Sequence, residues 1–260
     1  HIPVAASQAG ICVGADLKNA ACVVKGNVAT VTQHLGDLNH LLAHRRFTTT
    51  LRDLEDLFEV DPAWVAVDRH PRYLSRQHGI REATERGLSV VEVQHHHAHL
   101  ASLLAEHGRT DRIVGLVCDG VGLGSDGEAW GGEILVGDLA EFTRMGRTRP
   151  LRLPGGDVAA KRVGRAALSW LTDALGEDNT QMHPAAVRVL PEKRERTGVQ
   201  GMLRSDLACP PSSGLGRLFD ATAALLGLCD YNHHEAYAAQ LLESSAARSV
   251  GRPSGAGLIG

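Results

Sequence analysis

Gln94-His95-His96-His97-Ala98-His99 crowds four histidines onto one short stretch, and the residues on either side fix the backbone that must carry them. Before it, Val90-Val91-Glu92-Val93 reads as a buried strand. After it, the run from Leu100 to Gly108 reads as a helix stopped by glycine. His95 and His99 are spaced i, i+4, so a helix projects both rings from one face, the geometry two imidazoles need to hold one cation. His96 and His97 turn toward Leu100, Leu103 and Leu104, where packing or hydrogen bonding is expected. The bland alternative is that all four are partly buried, neutral histidines. The hydrolase pattern HExxH is absent, because His96 stands at the Glu position.

A chain of 260 residues, 43% hydrophobic, can bury one large domain or two of middling size. The formal net charge of -3 announces no basic face, and 4% aromatic residues supply few stacking platforms, so broad nucleic-acid binding is disfavoured. Neither an apolar run of membrane length nor a signal-peptide pattern is present, and the expected setting is cytoplasmic. The chain begins at His1 without Met, which reads as a piece of a longer protein. Cys12, Cys22, Cys118, Cys209 and Cys229 form no CxxC; the first three sit in apolar strand-like runs and read as reduced core residues.

The first half reads as βββ-α-β-α-β-α. Strands over 11–16, 20–25 and 28–34 form a meander, and Thr48-Thr49-Thr50 offers an N-cap to a helix marked by Leu51, Leu54, Leu57 and Phe58. Trp64–Val67 is a strand, and Tyr73–Arg86 a helix closed by Gly87. Asp68 and His70 follow the strand's carboxyl end, where ligands of open α/β sheets gather; alternatively Asp68 caps the next helix and His70 orients a loop. The turn from Gly14 to Asn19 sets Lys18 beside backbone that can meet a phosphate, or is simply an exposed hairpin tip.

The second half opens with a strand over Ile113–Cys118 and Asp119 at its end, a hard oxygen ligand for a cation. Gly120, Gly122 and Gly124 follow as a glycine-rich hairpin whose amides can converge on an anion. Strands over Glu128–Val136 and Glu141–Arg147 repeat the βββ start. Leu153-Pro154-Gly155-Gly156-Asp157 is a turn with an N-cap, leading a helix over 158–175. Residues 177–211 read as loop or short helices. A helix runs on through Leu228, with Leu218, Phe219, Leu225 and Leu226 toward the core. On it, Arg217 and Asp220 either face a ligand or pair with each other. His233 and His234 read as loop histidines, with metal binding a weaker alternative. A last helix reaches about Arg248, and the tail 249–260 shows no core pattern.

In series, Gly14–Asn19, Gln33–Leu38, Asp68–Tyr73, Gln94–His99, Asp119–Glu133, Leu153–Asp157 and Gly216–Asp220 resemble the carboxy-terminal carbamoyltransferase part of the HypF family of hydrogenase maturation factors. The resemblance spans roughly residues 10 to 245. It implies an α/β, actin-like and sugar-kinase-like (ASKHA) fold. Two related lobes of βββαβα topology would flank a cleft, residues 1–110 carrying the histidine helix and 111–260 forming a second lobe truncated at its carboxyl end. It also implies an activity: a carbamoyl group from carbamoyl phosphate, activated with ATP as carbamoyl-adenylate, passes to the C-terminal cysteine of a HypE-like acceptor protein and becomes the cyanide ligand of a nickel-iron hydrogenase. Related lobes serve antibiotic O-carbamoyltransferases and tRNA threonylcarbamoyl-type enzymes. A different class of reading is a non-catalytic module that binds nucleotide and partner.

By position the resemblance gives His95, His99 and Asp119 as ligands of one divalent metal, iron or zinc, which polarises the carbamoyl carbonyl. It sets Asp220 and Glu235 at the nucleotide ribose, and Lys18 with the Asp119–Gly124 segment at phosphates or carbamoyl. Asp68, His70, Gly156, Asp157 and Arg217 complete the substrate set, with magnesium admitted beside the nucleotide. The implied partners are the acceptor and an adenine nucleotide, with no nucleic acid and no membrane. Two departures stand out. The family's Gly-Gly-Val turn and later aspartate lie past Gly260, and Glu235-Ala236-Tyr237 stands where Glu-Gly-Gln is expected. Without the adenylate-forming domains, this chain alone is not expected to make carbamoyl-adenylate.

Overall fold

The computed structural model describes residues 2–3 and 6–250, so most of the tail singled out above lies outside the described residues. They divide into two compact units. The first runs to Gly115 and adds Leu123–Ser125 and Leu135–Met145; the second takes Leu116–Gly122, Asp126–Ile134 and the chain from Gly146.

In the first unit, β1 (Ile2–Pro3), β2 (Gly10–Cys12), β3 (Cys22–Lys25) and β4 (Val28–Val31) precede α1 (Leu41–Leu57), β5 (Trp64–Asp68), α2 (Leu74–Arg86), β6 (Ser89–Val93) and α3 (His95–Glu106). The sheet order is β1-β4-β3-β2-β5-β6. β2, β3 and β4 are the antiparallel meander read from the sequence, while β5 and β6 run parallel on its other side. Parallel neighbours need a crossover, and α2 is the one between β5 and β6. Alternation turns Ile11, Val13, Val23, Val65 and Val67 to a core shared with Phe47 and Leu51 of α1. Gly79 lets α2 lie close on β5, since a Cβ there would stand 2.6 Å from Val67 Cγ1.

Two helix readings are corrected here. α1 begins at Leu41, and Thr48–Thr50 lie in its interior rather than at its start. Phe47 and Leu51, one turn apart and both buried, carry the helix through three β-branched residues, because burial outweighs a propensity cost of a few tenths of a kcal/mol each. Leu57, read as part of the apolar stripe, is 73% exposed. Asp68 does not cap α2. The N-cap residue Tyr73 offers no side-chain acceptor. Asp16, buried on the 14–19 turn, instead accepts from Leu74 N and Ser75 N, each at 2.9 Å. Asp16→Ala leaves both amides without that acceptor and is expected to cost about 1–2 kcal/mol, read by urea denaturation. Asp16→Asn, which keeps one oxygen, should cost less.

The second half of the chain holds β7 (Ile113–Leu123), β8 (Ala129–Gly137), β9 (Phe142–Arg147), β10 (Leu151–Arg152), α4 (Asp157–Lys161), α5 (Val163–Leu175), α6 (Glu177–Thr180), α7 (Pro184–Val189), α8 (Lys193–Ser205), β11 (Pro211–Ser212), α9 (Leu215–Leu225) and α10 (Tyr237–Val250). Its sheet runs β10-β11-β8-β7, with β9 also on β8. β11 lies parallel to β8 and antiparallel to β10. Both sheets together make the chain α/β with mixed strand directions.

β7 does not stop at Cys118. It continues through Asp119, Gly120 and Gly122 to Leu123, so the glycine-rich segment is strand rather than hairpin loop. Cys118, read as core, is exposed on this strand, and only Cys209 of the five cysteines is buried. The single helix read over 158–175 breaks at Arg162, whose φ of -91° and ψ of 80° leave the helical region. Beyond the break, Arg162 Nη2 and Arg165 Nε both reach Glu195, at 2.5 and 3.0 Å. Residues 177–211 fold as α6, α7, α8 and β11.

The core of the second unit sets Leu168, Leu190 and Leu203 among many alanines. Ala166 and Ala167 of α5 face Ala221, Ala223 and Ala224 of α9. Phe219 and Leu226, read as core, are instead 42% and 62% exposed, while Ala221, Ala223 and Ala224 take the buried positions. Among the described residues, no helix is long and apolar enough to cross a membrane.

Candidate functional site

The strand β6 ends at Val93, and the extended backbone of Gln94 turns the chain into α3. Gln94 is buried and serves as the N-cap: its Oε1 accepts from His97 N at 2.8 Å, and its Nε2 donates to Leu123 O at 3.0 Å. His96 is fully buried, with Nδ1 3.2 Å from the same amide nitrogen. His97 donates from Nε2 to Asp138 O at 2.8 Å and stacks on Phe142 at 5.0 Å. These two histidines secure the helix.

His95 and His99 stand one turn apart on α3, ring centroids 5.1 Å apart in an edge arrangement. Their ring nitrogens come within 4.8 Å of each other, close enough for one ion to take both. His95 Nδ1 lies 2.8 Å from Asp68 Oδ2 at the end of β5. The other oxygen, Oδ1, accepts from His70 N at 2.7 Å, and Arg76 ties the Asp68 carbonyl at 2.8 Å, so the carboxylate is fixed. A carboxylate there holds the proton on Nδ1 and presents Nε2 as the basic nitrogen, the arrangement that orients metal-bound histidines. The donor set of the first unit therefore fits a borderline divalent ion such as zinc or iron. His70 stacks on Tyr73 at 4.1 Å; burial pushes its imidazole below the ordinary pKa, against the pull of Asp68.

In the second unit, Asp119 is half-buried on β7, and its Oδ1 accepts from Gly120 N at 2.6 Å. Three backbones meet beside it. A Cβ on Gly131 would stand 2.6 Å from Asp119 O, and one on Gly214 would stand 2.2 Å from Gly120 O. Glu133 clamps this packing. Fully buried, it accepts from Gly131 N at 3.1 Å, Gly132 N at 3.3 Å and the Ser213 hydroxyl. Sequence reasoning passed over Glu133; the available signal was a lone carboxylate inside the apolar run Trp130–Val136.

Arg217 and Asp220 pair with each other, Nη2 to Oδ2 at 3.0 Å, and Asn232 donates to Asp220 Oδ1 at 2.8 Å. Burial pushes the Asp220 carboxyl above its usual range, with Arg217 and Asn232 acting the other way. Lys18 is exposed at φ 48° on the 14–19 turn. Gly156, at φ 56°, caps the short α4 that exposed Asp157 opens. Glu235 is exposed before α10, and His233 and His234 meet only the rings of Tyr231 and Tyr237 in the described aromatic contacts. The structure thus gathers Asp68, His70 and His95 around one carboxylate, and Arg217 with Asp220 around another.

Comparison with known families gives two matches. Residues 5–106 match the HypF Kae1-like domain, and residues 115–255 match a model described as carbamoyltransferase, Kae1-like domain, second subdomain. The class is therefore that of Kae1-like α/β proteins. The chain is 40% identical over 248 residues to carbamoyltransferase HypF2 of Cupriavidus necator, covering 94% of this chain and 30% of that one. It is 39% identical over 239 residues to carbamoyltransferase HypF of Rhodobacter capsulatus, covering 90% and 31%. A crystal structure of full-length HypF in the phosphate- and nucleotide-bound form superposes with a TM-score of 0.83 at 35% identity, over 94% of this chain and 37% of that one. This chain belongs to the HypF family. It spans about a third of the length of those two curated relatives.

Proposed function

We propose that this chain is the carbamoyl-transferring part of a HypF-type hydrogenase maturation protein of the cytoplasm. Its lobes are residues 1–110 and 111–260, halves of an ASKHA fold. Its substrate is carbamoyl-adenylate, made elsewhere from carbamoyl phosphate and ATP, and its acceptor is the C-terminal cysteine of a HypE-like protein. Family membership supports the activity; the hydrogen bond that His95 Nδ1 donates to the Asp68 carboxylate is the observation that carries the site.

In this reading His95, His99 and Asp119 hold one divalent ion, iron or zinc. The ion supplies Lewis-acid polarisation of the carbamoyl carbonyl. Asp68 keeps the His95 proton on Nδ1 and the ring in place. Lys18, His70 and the Gly120–Gly122 strand contact phosphate or carbamoyl, with Gly156 and Asp157 beside them. Arg217, Asp220 and Glu235 serve the ribose side. As the acceptor sulfur bonds to the carbamoyl carbon, the C–O bond to AMP breaks. AMP leaves without any protein nucleophile, and no cysteine is assigned that role.

The test is elemental analysis of the chain loaded anaerobically with iron(II) or zinc, followed by transfer from supplied carbamoyl-adenylate to the acceptor, read by mass. About one equivalent of metal and a carbamoylated acceptor are expected. A folded chain that retains no metal, or metal without transfer, overturns the reading.

A further inference from the structure

We propose that Cys12 and Cys22 are a peroxide-sensitive dithiol that closes to a reversible cross-strand disulfide. The two residues are direct partners in the antiparallel register of β2 and β3. Direct partners of this kind have Cα atoms about 4.5 or 5.5 Å apart, and both values fall inside the roughly 4.4–6.8 Å that a disulfide spans. Their Cβ atoms emerge on one sheet face. Alternation makes that the face opposite Ile11, Val13 and Val23, so a bond between the sulfurs leaves the apolar core as it is. Both thiols are half-buried, within reach of a molecule as small as hydrogen peroxide.

The pair is also chemically unequal. The neighbouring Cys22 sulfur and burial push the Cys12 thiol well above its ordinary pKa, while Cys12 pulls the Cys22 thiol below. Cys22 is thus the thiolate that attacks and Cys12 the thiol that resolves, the usual division in redox-sensing pairs. The Cys22 sulfur attacks one peroxide oxygen, the O–O bond breaks, and a sulfenic acid and one water result. The Cys12 sulfur then displaces the sulfenic oxygen as a second water, carrying off the Cys12 proton. Two thiols and one peroxide become one disulfide and two waters, and a dithiol reductant reverses the change.

The closed loop contains the turn that holds Lys18 and Asp16. The Asn19 amide already pins that turn to Val13 O at 2.9 Å and Ala15 O at 2.6 Å. Oxidation therefore staples the base of a segment that is ordered in the reduced protein.

The experiment treats the full chain with hydrogen peroxide, alkylates it in denaturant and maps the peptides. Two of the five thiols should disappear together, a Cys12–Cys22 linked peptide should appear, and dithiothreitol should restore both. Free Cys12 and Cys22 at a dose that oxidises exposed Cys118, or Cys22 carried to higher oxides without a link, overturns the proposal. In Cys12→Ser the Cys22 sulfenic acid should persist and be trapped by dimedone. Absence of that adduct in a folded Cys12→Ser chain overturns the assignment of Cys22 as the attacking thiol.

Discussion

A chain carrying His95→Ala and His99→Ala together is expected to leave iron(II) or zinc loading with no bound metal, against about one equivalent for the wild type. The variant removes both imidazoles of the proposed set and leaves a carboxylate, which holds a borderline divalent ion poorly at neutral pH. Neither ring is a core residue: His99 is exposed and His95 half-buried. Circular dichroism should therefore stay at the wild-type level while metal is lost. Asp68→Ala separates orientation from ligation. The ligands remain, but His95 loses the acceptor at Nδ1, and removal of such a supporting carboxylate typically weakens metal affinity ~10–100-fold. Asp68→Asn, which retains an acceptor oxygen, should fall between. Wild-type metal content in the double variant would remove His95 and His99 from the site.

The second large effect is one of packing. Gly164→Ala is expected to destabilise the second unit by on the order of 2–3 kcal/mol, although helix propensity alone favours alanine by ~1 kcal/mol. Gly164 is buried near the start of α5, and a Cβ there would stand 2.1 Å from the carbonyl oxygen of Val189. That obstacle is backbone at the end of α7 and cannot rotate aside. Relief requires α5 and α7 to separate, which opens the contacts that Ala186 and Val189 make in the buried core. Thermal unfolding should shift downward by several degrees. Gly198→Ala, at an exposed position of α8 with nothing within 4 Å of the added carbon, is the control expected to be neutral or mildly stabilising. An unchanged melting temperature for Gly164→Ala would refute the close contact.

What the sequence disclosed follows from the reach of each signal. The β2–β3–β4 meander, β5, α2 with its Gly87 cap and the i, i+4 placement of His95 and His99 are written in local periodicity and turn residues. The halt expected at Asp119 failed because glycines read as loop are accommodated in a strand, where Gly131 and Gly214 press on the β7 backbone. The N-cap expected at Thr48 failed because Phe47 and Leu51 are buried by tertiary contacts that no window of sequence contains. Asp68 was legible as a candidate, yet its link to His95 joins residues that a whole helix and strand separate. Arg217 and Asp220 were left between two readings, and their mutual ion pair is what the structure shows.

The capping of α2 by Asp16 also bears on how the first unit assembles. A helix whose first amides are satisfied by its own N-cap can nucleate early, from neighbours in sequence. Here the acceptor arrives from the turn between β2 and β3, nearly sixty residues upstream of Leu74 and Ser75. Closing so long a loop carries an entropy cost that local pairing escapes, and non-local contacts slow folding. The first turn of α2 therefore consolidates only after the hairpin that carries Asp16 has docked. The order of assembly runs from the meander to the helix that follows β5.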